Sequence, residues 1–583
     1  MEKTNNQDCF ISTLMRLKMS SRDAVVSPQF IDEYSLYMHV DRPVQKAFEA
    51  QLRKSAASGH AELILLCGSV GDGKSHMLLY YCNKYPELME KFVIHNDSTA
   101  SFYTTESAEF TLKEVLADFV DDRLESTSSK MIIAINLGTL SKFLNKDTEG
   151  KFTKLAEYVE KAGILDETLH AEEHEYFHSI NFADYHLYEL TQDGPRAEYI
   201  SALIEKITKK DPANIFYDSY CRNCKGCESS SCCPIRINYD LLSDAKIQQG
   251  LVSAVIESIV KHKLIVSTRE LLDFFYEILV DERCFDSGSC EPRKDAQKMT
   301  QIQYCNALLP CTLFGRQDAS EILKAMHSID PLRIRNERVD DFFVFYNNSE
   351  EVISVFHDDL GEYEYTIHRI RDINFADPQT HFLKEELLYL FIRLCWLAGR
   401  RKDLLLPDEN YHEFMRCLYL WNTGRYIQLK QLYSDVEKGI LSWNGTAGKN
   451  EMQLPVTNNH SSYYLYQDIE MKIVTDNMPR SDSEVLYSFK DELRLKYRVR
   501  HKDIIGELDV DYNLYVLLKR ILNGYVPNVN DKRVNVKCVE FIRKMSQGGS
   551  KMELLKIRDF SQIMPKEYRF EYDEEFGYSF EEI

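Results

Sequence analysis

The sequence predicts an α/β core built on a parallel sheet, followed by helical and β-containing regions. Three observations carry this reading. Short apolar runs, Glu62 to Cys67, Phe92 to Ile94 and Met131 to Asn136, alternate with stretches of helical spacing. The first run ends in a glycine loop, and an unbroken apolar run of that length suits a strand buried on both faces. From Pro195 onward the apolar spacing turns helical, and near the C-terminus it alternates.

Each element follows from local chemistry. His76 to Lys84 read as a helix stopped near Pro86. Leu112, Val115, Leu116 and Phe119 recur at helical spacing, and Asn181 to Leu190 is expected to add a strand. Leu271, Leu272, Phe275, Ile278 and Leu279 mark an amphipathic helix with Thr268 as its expected N-cap. Phe342 to Tyr346 and Val352 to Phe356 suggest β-structure, whereas Leu387, Leu390, Phe391 and Leu394 lie on one helix face. A stretch rich in Asn, Gly, Thr and Ser at 445–462 marks a boundary. The expected regions are an N-terminal helical segment (1–59), the sheet core (60–195), a helical region with a cysteine-rich loop (196–335), a mixed β then helical region (336–450) and a β-containing C-terminal region (451–583).

Composition narrows the function classes. At 583 residues the chain is too long for a single core. No apolar run reaches the ~18 residues that span a bilayer, and the first ten residues lack a basic end followed by an apolar stretch. A cytoplasmic location is expected. A net charge of −21, from 71 basic and 92 acidic residues, argues against a protein that tracks DNA on its own. In that compartment fifteen cysteines are not a disulfide framework, and clustered ones point to metal.

Gly68, Ser69, Val70, Gly71, Asp72, Gly73, Lys74 and Ser75 match G-x-x-x-x-G-K-S in full, with His76 following. Glycines let successive backbone N–H groups converge on phosphates at a helix N-terminus. Lys74 is the expected counter-charge to the β- and γ-phosphates, and the Ser75 hydroxyl the expected Mg²⁺ ligand. The core is therefore expected to be a P-loop NTPase sheet of AAA+/ASCE-like type, binding ATP with Mg²⁺, with the helical region as its lid. Hydrolysis also needs a carboxylate near Mg²⁺ and a group that positions water. Asp97 and Asn136, at the ends of the second and third apolar runs, are the candidates, and which serves as the Walker B residue stays open.

Cys221, Cys224, Cys227, Cys232 and Cys233 place five thiols within 13 residues, where a structural Zn²⁺ that staples the loop is expected and a [4Fe–4S] cluster is the alternative. Near the C-terminus, Arg494, Lys496, Arg498 and Arg500 alternate with Leu493, Leu495, Tyr497 and Val499. Same-face residues on a strand lie about 7 Å apart, which permits contact with a nucleic acid backbone, although a solvated outer face is the more usual reason for such alternation.

The words around these sites, Leu66 to His76, His95-Asn96-Asp97, Ile135 to Gly138, Ser267 to Leu272, Leu308-Leu309-Pro310 and Asp330-Pro331, resemble the DptF (DndF) family. That family is the P-loop subunit of DNA phosphorothioation-dependent restriction systems. The resemblance runs over much of residues 10–345. It implies an ATPase that works with sibling subunits against DNA lacking the sulfur modification, meeting DNA mainly through the complex, with nuclease chemistry elsewhere. A homo-oligomer is compatible with it. The rival readings are an ATP-dependent signalling or oligomerisation switch without a DNA role, and a redox scaffold centred on the cysteines.

Overall fold

The computed structural model describes residues 9–23, 33–69, 71–96, 108–147, 150–165, 174–285, 292–317, 319–349, 351–375, 377, 380–405, 407–445, 448, 450–454, 462–500, 503–548, 555–561, 566–573 and 575–582. The chain forms two compact units, Met1–Glu189 with Arg196–Leu406, and Leu190–Pro195 with Pro407–Ile583. It is a mixed α/β protein with a small parallel sheet, a large helical region and antiparallel sheets.

The first unit is organised by four parallel strands, β1 (Glu62–Cys67), β2 (Val93–His95), β3 (Lys130–Ile135) and β4 (Phe177–Asn181), in the order β2-β3-β1-β4. Alternate residues serve opposite faces. Leu63, Leu65, Met131 and Ile133 pack against Leu112, Leu116, Phe143 and Leu155 on one face. Ile64, Leu66, Ile132 and Ala134 pack against Phe48, Leu52, Leu78 and Tyr81 on the other. Burial on both faces explains why these strands read as unbroken apolar runs. Cys67 pairs with Ile135 and with Asn181, so β1, β3 and β4 end in register and deliver their following residues to one edge.

Four expectations are corrected in detail. The first glycine-loop helix begins at Lys74, two residues before His76, and runs to Lys84. β4 stops at Asn181, whose side chain accepts the Ala183 N–H and turns the chain into a 3-10 turn, and a short strand resumes only at Glu189–Thr191. The helix Thr268–Leu279 is capped by Ser267, not Thr268: Ser267 has extended backbone and accepts the Glu270 N–H, while Glu270 accepts the Ser267 N–H at 2.7 Å. The segment expected as β-structure is helical, over Glu337–Asn348 and Val352–Leu360. Val339, Phe342 and Tyr346 are buried at helical spacing, and Phe342, Tyr346 and Phe356 surround Phe391 of the helix Leu383–Leu397. Tertiary burial of one stripe outweighs the strand preference of an aromatic-rich run.

The second unit combines the helices Glu409–Asn422, Tyr426–Leu441, Tyr512–Leu522, Val529–Val534 and Val536–Ser546 with three antiparallel sheets. One joins Ile505–Val510, Leu493–Val499 and Met471–Val474. A five-stranded sheet runs from Gly577–Glu582 through Lys566–Asp573, Leu555–Asp559 and Tyr463–Asp468 to Glu451–Leu454. The smallest pairs Val485–Leu486 with Leu190 and Thr191. Among the described residues, no helix is long and apolar enough to cross a membrane.

Candidate functional site

The loop between β1 and the helix Lys74–Lys84 lies at the edge where β1, β3 and β4 end. Gly71 and Gly73 both adopt positive φ, near +92° and +91°, a region that strains residues bearing a Cβ. Gly73 also has open space where a Cβ would stand, while a Cβ on Gly71 would press on Ser267 at 3.1 Å. The first turn of the helix leaves its N–H groups without intrahelical acceptors, so the loop presents a positive dipole end.

The side chains of the loop are held in defined places. Lys74 Nζ donates to the Gly68 and Ser69 carbonyls at 2.9 and 2.6 Å. Ser75 Oγ donates to Asn96 Oδ1 at 2.9 Å, which brings the residue after β2 to the start of the helix. Asp72 Oδ2 accepts the Ser69 N–H. Burial pushes the Asp72 carboxyl above the usual carboxylate range, against the opposing influence of Lys74 and the Ser69 N–H. Arg42 donates to the Asp72 carbonyl at 3.1 Å and lies over the rings of Phe182 and Tyr199.

A cavity of about 340 Å³ opens onto this loop. Gly71, Asp72, Gly73, Lys74, Ser75 and His76 line it on one side, with Asn96 and Asn136 beside them. Met38, Val40, Leu203 and Leu272 contribute an apolar wall, and Thr268 and Arg269 enter from the capped helix. Asn136 N-caps the helix Leu137–Asn145 by accepting the Thr139 N–H at 2.7 Å, so its amide nitrogen is the donor it retains for the cavity. His39 and His76 are hydrogen-bonded at 2.9 Å, and burial lowers the His39 imidazole below its ordinary value despite Asp41 at 3.2 Å.

Searches against protein-family models and against curated proteins find no match. Gly68, Ser69, Gly71, Asp72, Gly73, Lys74, Ser75, His76 and Asn136 gather at one sheet edge, whereas Val70 and Asp97 lie outside the described residues. Sequence reasoning missed Arg42, Asn96 and Arg269 as lining residues. Asn96 stands next to a chosen candidate and was legible as a strand exit, but nothing in the N-terminal segment marks Arg42.

The cysteine loop divides its five thiols. Cys224, Cys227 and Cys233 line one small cavity. Cys221 and Tyr217 are hydrogen-bonded through their side chains, and the Cys232 thiol donates to the Ser229 carbonyl at 3.4 Å. None of the fourteen described cysteines is in a disulfide. Among the described residues, no three His, Cys, Asp or Glu side chains are gathered closely enough to hold a single metal ion.

In the second unit Leu493, Leu495, Tyr497 and Val499 point inward, as the alternation required. The outward cations meet carboxylates: Arg494 with Asp509 at 2.7 Å, Lys496 with Asp476 at 2.9 Å, and Arg500, one residue past the strand, with Glu470 at 2.6 Å. Arg498 is exposed, with Lys472 opposite it in the ladder.

Proposed function

We propose that the first unit is a P-loop ATPase core of AAA+/ASCE-like type, with the helices after residue 196 as its lid. The observation that carries this reading is the cavity of about 340 Å³ bordered by Gly71, Gly73, Lys74 and Ser75 at a helix N-terminus. In this reading the triphosphate draws Lys74 off its two carbonyls, because a charged phosphate holds an ammonium more strongly than a neutral carbonyl does. Ser75, beside the Asn96 carbonyl oxygen, supports the Mg²⁺ that accompanies ATP. With its oxygen committed to the cap, Asn136 suits a γ-phosphate donor better than a metal ligand. Asn96 stands beside Ser75 at the end of β2, and the carboxylate of the next residue in sequence, Asp97, is the metal-side candidate of this reading. Arg269 adds a cation from the lid side, and the apolar wall takes the base.

The chain's broader role follows the resemblance to the DptF family: an ATP-hydrolysing subunit of a DNA restriction complex, whose sibling subunits supply most of the DNA contact. The net charge of −21 supports a subunit that does not hold DNA alone. The test measures Mg·ATP binding and turnover by the full chain, with and without double-stranded DNA and the sibling subunits. Turnover that rises with DNA only in the assembled complex is expected. Equal Mg·ATP affinity in wild type and Lys74→Ala would overturn the site. Turnover indifferent to DNA in the assembly would favour a switch.

A further inference from the structure

The cysteine loop has a neighbour that is distant in sequence. Phe10 is buried edge-on against Tyr239 at 5.0 Å and Tyr220 at 5.9 Å, and Thr13 bonds Ser219 at 2.6 Å. These contacts fix the start of the helix Phe10–Asp23 on the helix Ile215–Asn223, which leads into the loop. They also place Cys9. The cavity lined by Cys224, Cys227 and Cys233 is lined by Cys9 as well, with Arg236 beside them, and its volume is about 20 Å³.

Four thiols around one small cavity, from two chain segments distant in sequence, form a coordination set. Cys233 is the N-cap of the helix Pro234–Leu242. The Arg236 side chain, which lines the same cavity, suits an anionic thiolate-bound centre.

The spacing distinguishes two centres. A single tetrahedral ion draws its sulfurs inward, with bonds of about 2.3 Å, and no three donors here are gathered that closely. A cubane takes one thiolate at each of four iron corners, and so needs its sulfurs around a space instead of around a point. We propose that Cys9, Cys224, Cys227 and Cys233 ligate a [4Fe–4S] cluster, and that Cys221 and Cys232 do not. Ligation replaces each S–H bond with an Fe–S bond and releases the proton to solvent. The cluster would fasten the N-terminal helix to the cysteine loop, independently of the nucleotide reading.

The experiment uses the full chain purified without oxygen. About four irons and four acid-labile sulfides per chain, with broad absorbance near 400 nm, are expected. Zinc at one per chain, or neither element, overturns the cluster. Cys9→Ser should lose most of the iron and the absorbance, while a Cys221→Ser, Cys232→Ser double variant keeps both. The reverse pattern overturns the ligand set. Thiol alkylation of the iron-loaded wild type, read by peptide mass spectrometry, gives the answer even where the Cys9 variant fails to fold. Cys9, Cys224, Cys227 and Cys233 should resist labelling until a chelator strips the iron, with Cys221 and Cys232 labelled throughout. Labelling of Cys9 in the loaded protein would overturn its place in the set.

Discussion

The edge of the parallel sheet and the strand Leu493–Val499 both display basic side chains that the sequence announces, and they dispose of that charge differently. Lys74 rests on the carbonyls of its own loop and faces a cavity beside a helix N-terminus. Arg494, Lys496 and Arg500 close onto carboxylates of neighbouring strands and turns. A cation held by neutral carbonyls stays available to a stronger anion, whereas one held by a carboxylate must first break a pair. Two basic motifs of similar visibility thus hold their charge differently, one against neutral carbonyls and one against carboxylates.

The largest effect is expected at Lys74. Charge-assisted hydrogen bonds contribute about 1.5–3 kcal/mol each, so Lys74→Ala should weaken Mg·ATP about 10- to 100-fold, while the thermal melt of the nucleotide-free protein hardly changes. Titration calorimetry with the full chain reads it. An unchanged affinity would remove the contrast between the two regions.

Replacing Arg494, Lys496, Arg498 and Arg500 together by Ala is expected to act on the second unit's own stability. Arg494 and Asp509 are partly buried but still reach solvent, and after screening their pair contributes about 1 kcal/mol or less. The log–log salt slope of binding to double-stranded DNA should shift by less than about one unit. A fall of about three units, in a variant that still folds, would mean that the ion pairs open to phosphate and that the comparison is wrong.

Ser267→Ala sharpens the cavity side. It removes the cap oxygen that accepts the Glu270 N–H and should cost about 1 kcal/mol, read as a lower urea midpoint. Thr268→Ala should cost less than half of that. A larger loss from Thr268 would return the cap to the residue that spacing favoured.

The smallest effect concerns pH. Burial lowers the His39 imidazole below its usual value of about 6.5, so between the two values the unfolded chain binds more proton than the folded one. Stability should therefore be undiminished above about pH 6.5, fall as the pH drops through it, and stop falling below the folded value. The slope cannot exceed one proton, about 1.4 kcal/mol per pH unit. His39→Gln should flatten that part of the wild-type profile in urea denaturation. Parallel profiles in both proteins would assign the dependence to other groups.

Sequence alone determined what local chemistry repeats over a few residues. The glycine spacing from Gly68 to Gly73 demanded a loop that only residues without a Cβ adopt easily, and the unbroken apolar runs demanded strands covered on both faces. Alternation at 493–499 fixed which side chains turn inward, because a strand has a period of two. Tertiary structure decided what depends on distant neighbours. Phe391 made a helix of the aromatic run at 342–346, since burying one stripe against it outweighs local preference. The register of β1, β3 and β4 brought Asn136 to the glycine loop, and Phe10 carried Cys9 to thiols more than two hundred residues away. Carboxylates from separate strands and turns took up Arg494, Lys496 and Arg500. Spacing along a chain sets which way a side chain faces, but the partner it meets there is supplied by another segment, and only the folded topology brings the two together.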